Sequence, residues 1–154
     1  MSKLTTEQKK LISKDVLSKL NNAETQLEAA IKTEEAKNRN EVYQKEVNSA
    51  KARKVSSPKT KAAKKKKAKI TWNKAAGASG YEIQYSVKKS FKKAVTVTVS
   101  GGTKNKATLK LKKIKPQKKC FIRIRPFTMV NNTKGQQEKV YGVWSKKMKI
   151  KVKK

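Results

Sequence analysis

The chain has almost none of the side chains that usually perform acid–base or metal chemistry. Histidine is absent, and Cys120 and Asp15 are its only cysteine and its only aspartate. A Cys/His zinc cluster, a Ser–His or Cys–His pair and a calcium loop are therefore excluded. A carboxylate pair in the C-terminal two thirds would need Glu82 and Glu138 to come together. We expect a protein that is not an enzyme and uses no cofactor and no catalytic metal.

Acidic residues become rare along the chain while lysines continue. Residues 58–154 contain 30 basic and two acidic residues, whereas residues 1–57 contain twelve basic and eight acidic residues. Lysine outnumbers arginine 38 to 4, and lysine acts as a hydrated point charge without the planar fork that reads bases. Such a chain favours anionic polymers of many kinds. The alternative is that the charge serves only solubility.

The N-terminal region carries lysines and no apolar run of the length that a signal peptide requires. No stretch of the chain approaches the length of a membrane span. These two absences predict a protein made in a cytoplasm without a signal peptide, which leaves the cell only within a larger assembly or by lysis.

Residues 1–52 have helical periodicity. Thr5 and Gln8 fit a capping box at the start of a helix, and Asn21-Asn22 and residues 38–40 predict interruptions that would give two or three helical pieces. The functional interpretation is docking or oligomerisation through an apolar stripe, and the alternative is a simple extension. The predicted assembly-anchoring residues are Ile12, Val16, Leu20, Leu27 and Ile31.

Residues 53–68 are rich in lysine and contain Pro58, which disfavours helical geometry in the residue before it. The four adjacent lysines 64–67 repel one another and extend the backbone. This segment is predicted to be a linker that includes a candidate first edge strand.

From residue 69 to residue 154 the apolar period changes to two, which is typical of an antiparallel sandwich with one buried face per sheet. Six short alternating runs are separated by Gly, Asn, Ser, Pro or Lys. Their apolar positions are Ile70 and Trp72; Tyr81, Ile83 and Tyr85; Val95, Val97 and Val99; Leu109 and Leu111; Cys120, Ile122 and Ile124; and Met148, Ile150 and Val152.

The order of several residues resembles a fibronectin type III domain over about residues 58–154. The similarity rests on Trp72 in an early strand, Gly80-Tyr81 opening the next, Pro116 before the run from Ile122 to Arg125, and residues 142–145, Gly-Val-Trp-Ser. The run from Trp72 to Lys93 is similar to the lysine-rich version found in Gram-positive surface proteins and their phages. The helical segment resembles no family that we recognise.

The resemblance implies a mainly β protein, an immunoglobulin-like antiparallel β-sandwich of seven strands preceded by an α-helical segment. The resemblance also implies a spacer, adhesion or carbohydrate-proximal module without catalysis. Two departures stand out: Cys120 replaces a tyrosine whose hydroxyl ties down the preceding turn, and Pro126 predicts that the sixth strand ends or bulges there. The implied structural core is Trp72, Tyr81, Ile83, Tyr85, Leu111, Cys120, Ile122, Ile124 and Trp144.

Alternation also predicts a cationic outer face, because the sixth and seventh strands of this fold are neighbours. Its charges would fall within the Debye length of about 8 Å at physiological salt, so they would repel one another and favour a polyanion. The alternative is a solvated face. The candidate anion-binding residues are Phe121, Arg123, Arg125, Lys147, Lys149, Lys151 and Lys153.

These observations predict a non-enzymatic display protein. Its helices would attach to a capsid, tail or other surface structure, and its sandwich would decorate a phage virion or adhere weakly to anionic polysaccharide or teichoic acid. The first alternative is a nucleic-acid-binding protein without sequence preference. The second is a fragment of a secreted bacterial adhesin, located at the cell surface.

Overall fold

A computed structural model describes residues 5–10 and 13–154, apart from the side chain of Lys9. Two helices come first, α1 (Thr6–Lys10) and α2 (Lys14–Ala52). The predicted capping box is confirmed at the start of α1. The Thr5 amide donates to Gln8 Oε1 at 2.9 Å, and the Gln8 amide donates to Thr5 Oγ1 at 3.3 Å.

Helix α2 is continuous over 39 residues, so the predicted interruptions at Asn21-Asn22 and at residues 38–40 are wrong. Asparagine lowers helix propensity by only a fraction of a kcal/mol, roughly 0.7 at most, which neighbouring residues of higher propensity offset. Ion pairs within the helix, such as Lys19–Asp15 at 3.0 Å, add a little support. No helix among the described residues is long and apolar enough to cross a membrane.

The chain divides into two compact units, Met1–Val42 and Tyr43–Lys154. The second unit begins within α2 and contains eight strands, two more than the alternation predicted. The strands are β1 (Ser56–Ala63), β2 (Lys67–Asn73), β3 (Gly80–Ser86), β4 (Val95–Ser100), β5 (Lys106–Lys110), β6 (Lys119–Asn131), β7 (Gln137–Tyr141) and β8 (Met148–Lys151).

The strands form two antiparallel sheets, which confirms the predicted β-sandwich class. One sheet has the order β1-β2-β5, and the other has the order β4-β3-β6-β7 with β8 also paired to β6. β1 lies within the segment predicted to be a linker with an edge strand, and it pairs with β2 from Ser56, opposite Asn73, to Ala63, opposite Lys67. β7 and β8 lie along the same edge of β6 and are separated by residues 142–147.

Pro126 does not end β6, which is a correction to the sequence analysis. β6 runs for 13 residues and stays in register with β3, where Tyr81 opposes Pro126. The Ile124 amide donates to Ser145 Oγ, and the Pro126 carbonyl accepts from the Gly142 amide. The missing donor of Pro126 therefore faces the interruption between β7 and β8, where no ladder bond is lost.

The core lies between the sheets and is built from the inward side chains predicted by alternation. Its largest fully buried members include Tyr81, Ile70, Ile83, Leu109 and Ile122. At the junction with the helix, Val47 and Ala50 of α2 pack against Val130 and Val140. Sequence periodicity did not predict this second cluster, which joins the last turns of α2 to the sandwich.

Tyr43 strengthens the same junction by donating its hydroxyl hydrogen bond to the Glu138 carboxylate. That hydrogen bond, together with burial and the carboxylate charge, raises the pKa of Tyr43 above its ordinary value. One of the two acidic residues of the C-terminal region is therefore engaged in structure.

Candidate functional site

The outer face of the five-stranded sheet pairs charged and polar residues across β3 and β6. Glu82 opposes Arg125, and Gln84 opposes Arg123. Arg125 donates to Glu82 Oε1 from Nη2 at 2.9 Å and from Nε at 3.2 Å. Arg123 donates to Gln84 Oε1 from Nη2 at 2.7 Å and from Nε at 3.0 Å. Both guanidinium groups are thus held by their cross-strand neighbours.

Each of the two guanidinium groups lies against two aromatic rings. Trp144 lies 4.2 Å from Arg123 and 4.3 Å from Arg125, measured from guanidinium carbon to ring centroid. Phe91 contacts Arg123 at 4.3 Å, and Tyr141 contacts Arg125 at 3.8 Å. We call these five residues, Phe91, Arg123, Trp144, Arg125 and Tyr141, the outer-face stack. It gives both arginines cation–π partners within the protein.

The stack changes the expected role of Arg123 and Arg125. Burial lowers the pKa of Arg123, the neighbouring charge of Arg125 lowers it further, and Glu82 acts in the opposite direction. The side chain of Glu82 is 8% exposed and that of Arg125 is 22% exposed. These groups bind one another, so the arginines are less free than the exposed lysines to contact an external polyanion.

Trp144 is not in the core, which corrects the position expected from the resemblance. It is half-buried and lies on the outer face, in the segment between β7 and β8. The chain leaves regular strand pairing there, because the Ser145 amide donates to the Ile124 carbonyl while Ser145 Oγ accepts from the Ile124 amide. Strand alternation consequently does not set the direction of this side chain.

The remaining candidate anion-binding residues are not members of the stack. Lys149 opposes the half-buried Phe121, and Lys151 opposes Lys119 across β8 and β6. Lys147, Lys149, Lys151 and Lys153 are all exposed. These lysines are therefore open to solvent, whereas Arg123 and Arg125 are half-buried and hydrogen-bonded to Gln84 and Glu82.

The assembly-anchoring candidates lie on α2, except Ile12, which falls outside the described residues. Val16, Leu20, Leu27 and Ile31 are exposed large apolar side chains. Their spacings of four, seven and four residues place them within one face of the helix.

The other core candidates are buried inside the sandwich: Trp72, Tyr81, Ile83, Tyr85, Leu111, Cys120, Ile122 and Ile124. Among the described residues, no group of three His, Cys, Asp or Glu side chains is arranged to hold a metal ion. The outer-face stack could not be found from the sequence, since it depends on how Tyr141, Trp144 and the loop that carries Phe91 lie against β6.

Solved structures provide the comparison for this architecture. The FN1–FN3 domains of chicken CNTN1 match with a TM-score of 0.51 and 21% identity, over 65% of this chain and 32% of that chain. The fn3 domain of human contactin 1 matches with a TM-score of 0.52 and 16% identity, over 68% of this chain and 83% of that chain. The sandwich has the fibronectin type III fold. This chain thus spans about a third of the length of the chicken CNTN1 fragment.

No protein-family model matches the sequence. No curated protein matches it either. The similarity to the two solved structures therefore establishes the fold alone, and the function has to be argued from the surface chemistry of this chain.

Cys120 stands where the fibronectin type III resemblance implies a tyrosine that hydrogen-bonds to the preceding turn. Tyr85 makes a hydroxyl hydrogen bond at the start of that turn instead. The Tyr85 hydroxyl donates to the Lys110 carbonyl at 3.0 Å, at the end of β5. Because Tyr85 belongs to β3 and Lys110 to β5, this bond joins the two sheets across the core. The hydrogen bond expected to be missing at Cys120 is thus supplied by Tyr85, on the neighbouring strand of the same sheet.

Cys120 is fully buried, and burial raises the pKa of its thiol to about 11. At pH 8 this pKa reduces the thiolate fraction roughly a hundredfold relative to an unperturbed thiol. We expect alkylation of the native chain to be at least that much slower than alkylation in concentrated guanidinium, measured by mass spectrometry. Equal rates in the two conditions would show that Cys120 is accessible and reactive.

Proposed function

We propose that this chain is a non-enzymatic display protein whose helical segment attaches to a larger assembly and whose fibronectin type III-like domain is presented for decoration or weak adhesion. The observation that carries the proposal is the exposed face of α2. Val16 is 52% exposed, Leu27 is 48% exposed and Ile31 is 49% exposed. Exposed apolar side chains aligned on one helix face are typical of a surface that packs against a partner.

A phage virion is the assembly that we favour. The support is the resemblance of residues 72–93 to the lysine-rich fibronectin type III sequences of Gram-positive surface proteins and their phages. The alternative is a bacterial surface adhesin of which this chain is a part. Both versions use the same chemistry, an apolar helix face for attachment and a cationic domain for contact with anionic polymers such as teichoic acid.

The charge distribution supports adhesion to anionic polymers. Both acidic residues of the C-terminal region are engaged within the fold, Glu82 with Arg125 and Glu138 with Tyr43. The exposed surface of the domain is therefore dominated by lysine, which binds phosphate, sulfate and carboxylate without bidentate geometry.

Nucleic-acid binding without sequence preference is the second candidate, favoured by the formal net charge of +32. The outer-face stack argues against it. Bases of single strands need free aromatic faces, and Phe91, Trp144 and Tyr141 already contact guanidinium groups. Arg123 and Arg125, the arginines of this face that could read guanine in a major groove, already donate to Gln84 and Glu82.

A competition titration separates the two candidates. We expect heparin, teichoic acid and duplex DNA all to bind weakly, with affinities that fall steeply as salt rises, because phosphate and sulfate contacts carry no base information. The measurement titrates heparin into labelled duplex bound to the full chain, at low salt and at about 0.15 M, where exposed charges are strongly screened. DNA that stays bound in a large excess of heparin would favour the nucleic-acid function instead.

A further inference from the structure

Three lysine-rich loops meet at one end of the sandwich. They are residues 64–66 between β1 and β2, residues 87–94 between β3 and β4, and residues 111–118 between β5 and β6. The Leu111 amide donates to the Lys66 carbonyl at 2.8 Å, which ties the first loop to the third. Lys88 and Lys113 line one pocket, which places the second loop beside the third. We call these three loops the lysine pole.

The lysine pole differs in composition from the opposite end of the sandwich. Its 19 residues include eleven lysines and no acidic residue. The loops at the opposite end, residues 74–79, 101–105 and 132–136, include three lysines among 16 residues. Ten of the eleven pole lysines are exposed, Lys66 is half-buried, and none forms a salt bridge within the described part of the chain. The cationic charge of the loops is concentrated at one end.

Backbone conformation shows the same asymmetry. In the opposite loops, the left-handed positions are occupied by glycine, with φ of 69° at Gly77, 97° at Gly101 and 77° at Gly135. In the lysine pole, none of the left-handed residues is glycine. They are Lys65 (φ 57°), Lys66 (φ 50°), Phe91 (φ 59°), Lys93 (φ 57°) and Gln117 (φ 65°).

Left-handed backbone is unfavourable for a residue with a Cβ atom, and glycine avoids that cost. Lysine at Lys65, Lys66 and Lys93 therefore makes the turns less stable than glycine would, and it also adds like-charge repulsion. Strained backbone of this kind is concentrated at functional sites. Because the charge at these positions destabilises the folded state, a function in binding explains it better than a function in stability.

A pocket of about 210 Å³ in the lysine pole indicates the kind of ligand. Its rim carries Lys88, Lys92, Lys93 and Lys113, and its floor is apolar, formed by Tyr85, Val95 and Ile114. Val87, which is 52% exposed, stands at the same rim. A sugar ring with an acidic substituent fits this combination, because its C–H face can contact the floor while its anion contacts the lysines. A base stacked on an aromatic ring does not fit, since Tyr85 is the one aromatic residue of the pocket lining and is 5% exposed.

We propose that the lysine pole is a binding surface for an anionic polysaccharide, with one acidic sugar seated among Lys88, Lys92, Lys93 and Lys113. The proposal rests on the adhesion function proposed above and assigns its binding site. That site is a set of loops at one end of the sandwich, and the arginines of the outer face have no part in it.

The test compares two variants of the full chain that remove the same charge. The pole variant carries Lys88→Gln, Lys92→Gln, Lys93→Gln and Lys113→Gln, and the control variant carries Lys74→Gln, Lys104→Gln, Lys106→Gln and Lys134→Gln at the opposite end. The probe is a size-defined heparin oligosaccharide, titrated at several salt concentrations. We expect the pole variant to lose at least about tenfold in affinity and to show a shallower salt dependence, while the control variant changes by less than about twofold.

The outcomes separate this proposal from the function on which it rests. Equal losses of heparin affinity in the two variants would overturn the assignment of binding to the lysine pole, and adhesion through overall charge would still hold. No binding of heparin, polygalacturonate or teichoic acid by the unaltered chain at about 0.1 M salt would overturn both. Tighter binding of duplex DNA than of any of these three polymers would overturn the choice of polysaccharide.

A second variant, Lys65→Gly with Lys66→Gly, tests the argument from backbone strain. We expect its thermal unfolding midpoint to rise, since glycine relieves the left-handed turn, and its affinity for the heparin oligosaccharide to fall. A higher midpoint with unchanged affinity would contradict a binding role for these two lysines. This variant also remains informative if the pole variant fails to fold.

Discussion

Trp72→Ala is expected to leave the sandwich unfolded or barely folded at room temperature. Trp72 is 3% exposed and meets Tyr81 edge to face, with 5.0 Å between ring centroids. Removing a buried indole costs about 3–5 kcal/mol, a large share of the 5–15 kcal/mol by which a domain is stable. The measurement is urea denaturation of the full chain followed by far-UV circular dichroism. A denaturation midpoint within error of the unaltered chain would show that Trp72 is not a core residue.

Two further substitutions test whether the effect of Trp72→Ala comes from the loss of a buried ring. Trp144→Ala removes a half-buried ring from the outer-face stack and should cost about 1–2 kcal/mol, the scale of cation–π contacts. Trp72→Phe keeps most of the ring volume, and it removes an indole Nε1 that has no hydrogen-bond partner among the described residues. It should therefore be clearly less destabilising than Trp72→Ala.

Truncation at Pro58 is expected to destabilise the domain far more than truncation at Tyr43. The longer fragment, Tyr43–Lys154, is one compact unit and keeps Val47, Ala50 and Val55 buried. The shorter fragment loses these side chains, and full burial of a valine contributes about 1.5–3 kcal/mol. It also loses Arg53, which donates to the Ala76 carbonyl at 2.8 Å and to Thr128 Oγ1 at 3.0 Å.

The comparison is thermal unfolding of the two purified fragments. Tyr43–Lys154 should unfold cooperatively, and Pro58–Lys154 should unfold at a much lower midpoint or without a cooperative transition. Equal midpoints would place the domain boundary near Pro58, where the change in sequence composition suggests it.

Alternation of apolar residues predicted most of the sandwich but not all of it. It found six strands because one face of each is buried, as in β6 from Cys120 to Ile124. It missed β7, in which only Val140 is buried, since one inward residue produces no alternation. It also predicted breaks in α2 at asparagines, where the summed propensity of a 39-residue helix outweighs single weak positions.

The surface chemistry was less predictable, because charged side chains acquire their partners through tertiary structure. Alternation indicates that Arg123 and Arg125 point outward, but only the register of β3 against β6 gives them Gln84 and Glu82. Trp144 was misplaced because the chain between β7 and β8 leaves the strand period. The lysines of the lysine pole are visible in the sequence, but only the topology brings their three loops together.

Immunogold electron microscopy tests the display function most directly. An antibody raised against Tyr43–Lys154 would be applied to intact phage particles and intact cells from the organism that encodes the chain. Particles prepared from a strain lacking the gene would be the control. We predict gold label on the outside of the particles, and label on the cell surface would favour the adhesin alternative. The absence of label from both particles and intact cells, with permeabilised cells labelled as a positive control, would contradict display.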